Sequence, residues 1–261
     1  SQEATSPQIK FLTLPEVTDF VDTQKFRHYL TNAQEAPTDC IDDRPRADGS
    51  AAVLTKAGGN AGEPLAALAV VNHFGLNDHV KAWNACIKAI GGIRNFTFHT
   101  EDGALADGPG AGCGHLNKAR ENPKDYGVTS DQMRFLDSQL SQALSDGATQ
   151  KVCVGKHAGK AILIFDSSYY AIRPCRLDPE GPTQVFPVNS YFDNLRLEDI
   201  GRSLHAEFEG DKEGLTEDDF ISTMKTFAHK QLLKTKELIT HGAPVFYVSI
   251  SETGDVEVKE A

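Results

Sequence analysis

The chain has 261 residues, five cysteines and a formal net charge of −11. That length buries a core without staples, and the composition excludes a disordered, collagenous or disulfide-framework protein. An acidic chain without a basic run does not collect phosphate backbones, so no nucleic acid is expected as a partner. No membrane is expected either, since no apolar run approaches the ~18 residues of a span.

Residues 1–15 read as a flexible N-terminal segment, and 16–261 as a single domain without repeat or linker. Val17, Phe20, Val21, Phe26, Tyr29 and Leu30 give a helical pattern over 16–34. Short strands are predicted at 38–41 and 51–55. Between the second strand and the next helix lies Ala57-Gly58-Gly59-Asn60-Ala61-Gly62, a stretch suited to close backbone approach. Pro64 marks that helix's first turn and Gly75 its stop.

Asn77 or Asp78 caps the next helix, in which Val80, Trp83, Ile87 and Ile90 recur at helical spacing up to Gly91-Gly92. Alternation around Phe96 and Phe98 predicts a strand at 95–99 ending on His99, followed by a Gly/Ala/Asp loop over 100–112. Thr129-x-x-Gln132 is a capping box opening a helix that stops at Gly147.

Strands are predicted at 151–154, 161–165 and 169–173, then a proline-punctuated loop. Thr216-x-x-Asp219 opens the longest helix, with Phe220, Met224, Phe227, Leu232 and Leu238 near one face, and 245–250 is a final strand. Strands alternating with helices imply an α/β fold: one compact domain, a mixed sheet flanked by helices.

The five cysteines, Cys40, Cys86, Cys113, Cys153 and Cys175, are odd in number and irregularly spaced. They read as reduced thiols of a soluble protein in a reducing compartment, cytoplasmic or organellar; a leader removed ahead of residue 1 would leave no trace. Cys40-Ile41-Asp42-Asp43-Arg44 puts a thiol, a carboxylate and a guanidinium on one face of an extended segment. The thiolate can hold a metal, and Arg44 can grip Asp42 in a bidentate pair; the plainer alternative is a buried cysteine beside a surface ion pair.

His99 and Cys113 would complete a Cys2His set with a fourth position open to water, the pattern of a catalytic zinc. His115, two positions from Cys113, is an alternative ligand, a proton shuttle or a solvated side chain. Gly58-Gly59 can turn backbone N–H groups to an anion or simply form the turn before a helix.

Together these motifs resemble the beta-class carbonic anhydrases and, more closely, the zeta class, which uses cadmium or zinc. The resemblance covers roughly residues 35–120. It rests on Cys40-Ile41-Asp42-Asp43-Arg44, the Gly58-Gly59 turn, Phe98-His99 and Gly112-Cys113-Gly114. The interval from His99 to Cys113 is longer than in either class.

By resemblance, Cys40, His99 and Cys113 hold Zn2+, or Cd2+ in its place. Asp42 and Arg44 are catalytic, Gly58 and Gly59 bind substrate, and the chain is a lyase interconverting carbon dioxide and bicarbonate through a metal-held hydroxide. The alternatives are a hydrolase of carbon disulfide or carbonyl sulfide, and a non-catalytic metal or bicarbonate sensor.

Overall fold

The computed structural model describes residues 13–22, 38–40, 54–153, 161–164, 170–175, 184–187, 190–240, 245–250 and 256–260. The architecture is α/β, organised around one buried cluster that runs from Cys40 to Leu232. Helix α1 is Leu14–Asp22; the rest of the helix predicted over 16–34 lies outside the described residues.

Strands β1 (Thr38–Cys40) and β2 (Leu54–Lys56) pair in parallel. A tight turn then enters α2 (Gly62–His73), which is buried from Gly62 to Val71. A helix apolar on every side belongs at the centre of a core. Only glycine fits its first position, because a Cβ on Gly62 would stand 1.9 Å from the Ala57 carbonyl oxygen. Helix α3 (His79–Ala89) is capped as the sequence indicates: Asp78 Oδ1 accepts from the Lys81 N–H.

Strand β3 is Thr97–Glu101, not 95–99. Residues Ile93–Asn95 form a 3-10 turn, and the Thr97 N–H donates to Asn60 Oδ1 at 2.9 Å, so the strand starts later and continues past His99. Its parallel partner is β4 (Thr149–Cys153), with His99 opposite Lys151 and Glu101 opposite Cys153. The crossover between them carries α4 (Gly114–Glu121), which the sequence reading did not predict, and α5 (Ser130–Ser145), opened by the expected Thr129–Gln132 capping box.

The second half forms a mixed five-stranded sheet in the order β7-β6-β5-β8-β9. Its strands are β5 (Ala161–Ile164), β6 (Tyr170–Cys175), β7 (Gln184–Pro187), β8 (Val245–Ile250) and β9 (Val256–Glu260). Only β5 and β8 pair in parallel, across a connection carrying α6 (Ser190–Glu207) and α7 (Glu217–Thr240). Among the described residues the strands thus form three separate sheets, not one.

Helix α6 replaces part of the expected loop. Leu197, Ile200 and Leu204 sit at helical spacing and are buried against the core. Helix α7 begins at the Thr216–Asp219 box, whose two reciprocal bonds are 2.8 and 3.1 Å long. It packs on α2 and α6 through Phe220, Met224 and Leu232. No helix of the described residues is long and apolar enough to cross a membrane.

Candidate metal centre

Three segments distant in sequence meet beside α2. Cys40 is the last residue of β1, and β1 packs against β3, where His99 is the central residue. Cys113 stands at the N-cap of α4, and its carbonyl accepts from the Asn117 N–H at 2.8 Å.

The 101–113 loop closes on itself to bring Cys113 back to β3. Thr100 Oγ1 and the Glu101 N–H both donate to the Ala111 carbonyl, at 2.5 and 3.3 Å, and the Asp102 N–H donates to the Cys153 carbonyl at 2.8 Å. Gly112, at φ 80°, permits the last bend. A Cβ there would lie 2.4 Å from Cβ and Cγ of Glu101.

The thiols of Cys40 and Cys113 are 3.8 Å apart, and a His99 ring nitrogen lies within 4.8 Å of both. All three side chains are at most 2% exposed. The sulfur separation is too long for a disulfide. It matches the about 3.8 Å between two thiolates each about 2.3 Å from a tetrahedral zinc.

The donors fit such an ion in a second way. Neither ring nitrogen of His99 makes a hydrogen bond within the described residues, although the ring is buried. A buried imidazole left so is costly unless something binds it. Burial, and then the neighbouring Cys113, push the Cys40 thiol well above its ordinary range. Burial pulls the basicity of His99 down, but Cys40 and Cys153 beside the ring outweigh it and raise it. A cation would invert this balance by stabilising the thiolates.

No family model, curated protein or solved structure matches this chain. The chemistry of the site therefore rests on its own residues.

His115 is not part of the cluster, nor is it solvated. It is 1% exposed, and its Nδ1 meets Thr235 Oγ1 of α7 at 2.7 Å. Thr235 Oγ1 in turn meets the Tyr126 hydroxyl at 2.5 Å. Cys113 precedes α4 in an extended conformation (φ −67°, ψ 112°) with its thiol toward Cys40, whereas His115, in the first turn, turns its ring to α7. Burial lowers the His115 pKa to about 4, which keeps the ring neutral at pH 7.

Gly58 and Gly59 are buried in the left-handed turn before α2, with φ of 75° and 55°. A Cβ on Gly58 would come within 2.9 Å of His115 Cδ2, so the turn seats α2 against α4. Asp42 and Arg44 lie outside the described residues.

Two neighbours of the cluster were not singled out from sequence. Glu101, 5% exposed, places Oε1 3.6 Å from His99 Nδ1. Cys153, 2% exposed, sits across the ladder from Glu101 and beside the His99 ring. The available signal was the strand period of two, which puts 99 and 101 on one face once the strand runs past His99.

Proposed function

We propose that this chain is a zinc-dependent carbonic anhydrase, able to exchange zinc for cadmium, that hydrates carbon dioxide reversibly to bicarbonate. The observation supporting this reading most directly is the buried Cys40–His99–Cys113 triangle, which among the described residues offers three protein ligands. Three ligands with one position left over is the arrangement of catalytic zinc.

When bound there, zinc supplies a Lewis acid that makes water nucleophilic near neutral pH, carbonic anhydrase being the reference case for that effect. The chain's own residues would do the rest. Asp42 would accept a hydrogen bond from the nucleophilic oxygen and aim its lone pair at the carbon. Arg44 would grip the second carboxylate oxygen of Asp42 and fix its angle. Burial of the ligands excludes bulk water and suits a small uncharged substrate. The Gly58-Gly59 backbone would lie along the path of substrate and bicarbonate.

The test is a stopped-flow pH-indicator assay on the zinc-loaded chain. Hydration well above the buffer rate, lost on chelation and restored by zinc, is expected; no acceleration by a stoichiometrically loaded chain overturns the reading.

A second reading, a non-catalytic metal site, is favoured by Cys153. A third buried thiol beside His99 would be a fourth ligand, closing the coordination sphere and leaving no place for water. The near-ultraviolet absorption of the Co2+-substituted chain separates the two. Three-thiolate ligation gives markedly stronger sulfur-to-metal charge transfer than two, and Cys153→Ala would then weaken it.

A further inference from the structure

A neutral imidazole carries its proton on one nitrogen and can bind a metal only through the other. Which nitrogen is free is set by the partner of its opposite number. In this chain Nδ1 of His99 faces a carboxylate: Glu101 Oε1 stands 3.6 Å away, and both side chains are buried. Strand geometry places the pair on the same face of β3.

Two features hold Glu101 there. Its N–H is tied to the Ala111 carbonyl, and its Cβ and Cγ fill the space over Gly112 that a side chain would otherwise occupy. The loop delivering Cys113 therefore also packs against the stem of the carboxylate facing His99. Cys153 lies beside the same ring, but a thiol is a weak acceptor and competes poorly with a carboxylate for an imidazole proton.

We propose that Glu101 is the positioning residue of the metal centre, accepting a hydrogen bond from Nδ1–H of His99 so that Nε2 is presented to the ion between the thiols of Cys40 and Cys113. The proposal rests on the reading of that triangle as a metal site, not on the reaction carried out there. At 3.6 Å the two groups are just beyond hydrogen-bond distance, so the bond would require the carboxylate to close on the ring when the ion is held. The carboxylate raises the basicity of the ligand nitrogen and locks the ring's rotation. Removal of such partners costs metal sites about 10–100-fold in affinity.

The test uses the whole chain loaded with zinc and two readouts. Long-range 15N NMR of the histidine rings reports the tautomer, with His99 identified by its response to zinc. Nδ1 protonated and Nε2 metal-bound is the expected result, and a metal on Nδ1 overturns the proposal.

Zinc affinity is then measured by competition with a chromophoric chelator. Glu101→Ala should bind about 10–100-fold more weakly than wild type, and Glu101→Gln should lose less because its amide oxygen still accepts. Unchanged affinity in a folded Glu101→Ala overturns the proposal. Should that variant fail to fold, the wild-type tautomer still decides. Failure of the wild-type chain to take up zinc removes the metal centre and the proposal together, whereas normal uptake by wild type and Glu101→Ala alike removes only the proposal.

Discussion

Cys40 and Cys113 are 73 positions apart in the chain, and their sulfurs are 3.8 Å apart in the fold. One comes from a strand end and the other from a helix N-cap, so no local rule brings them together. Two buried thiols at that distance, with an imidazole that makes no hydrogen bond among the described residues, are a group that could hold a soft divalent ion.

About one zinc per chain is expected after reconstitution and dialysis, measured by elemental analysis. Cys40→Ser, His99→Ala and Cys113→Ser should each lose it. Cys86→Ala should keep it, because Cys86 is buried within α3 and belongs to no metal cluster of the described residues. Cys153→Ala should keep zinc if the site has three protein ligands; loss of the metal there favours the closed site.

His115→Ala is expected to retain metal while His99→Ala does not, since His115 faces Thr235 of α7 instead of the thiols. The reverse result in the same elemental analysis would show that the ligand assignment is wrong.

Asp42→Asn and Arg44→Ala should retain zinc and lose hydration activity by about 100- to 10,000-fold, the usual range for a positioned acid–base partner. Arg44→Lys should be similarly inactive, because an ammonium cannot reproduce a two-pronged grip on a carboxylate. Stopped-flow rates on zinc-matched samples check both; near wild-type rates in Asp42→Asn would remove Asp42 from the mechanism.

His115 should make the metal-free protein acid-sensitive. Its pKa is about 4 when folded against 6.5 when unfolded, so the unfolded chain binds the extra proton between these values. Stability from the neutral ring is therefore complete above pH 6.5 and declines as pH falls toward 4, by up to about 3 kcal/mol. Urea denaturation of the metal-free wild type and of His115→Gln across that window should show a shallower decline in the variant. Parallel curves would mean that the ring titrates normally.

Gly62→Ala and Gly75→Ala separate steric from conformational cost. Gly62 has helical φ of −67°, but its Cβ would overlap the Ala57 carbonyl. Gly75 has φ of 70° and open space around it. Gly75→Ala should cost about 1–2 kcal/mol, the ordinary left-handed penalty, and Gly62→Ala considerably more. Equal midpoints in thermal unfolding would refute the distinction.

Much of the fold was legible residue by residue wherever a local rule governs it. The capping boxes at Thr129–Gln132 and Thr216–Asp219, the Asp78 cap and the stop at Gly75 sit where the sequence indicates, since a cap needs only a side chain and an N–H three residues away. The thiol–imidazole set was legible for a chemical reason: few residue types bind soft ions, so Cys40, His99 and Cys113 stand out before any contact is known.

Tertiary structure decided the rest. Helix α6 is held by burying Leu197, Ile200 and Leu204 in a core that also takes in α2 and α7. His99 and His115 are the same residue type near the same cysteine, and only the direction of α4 separates them. Glu101 is one of 37 carboxylate residues. It became distinct only when β3 continued two residues beyond His99 and the loop to Cys113 folded back over its stem. Local sequence sets which groups can bind an ion; which of them meet is a property of long-range packing.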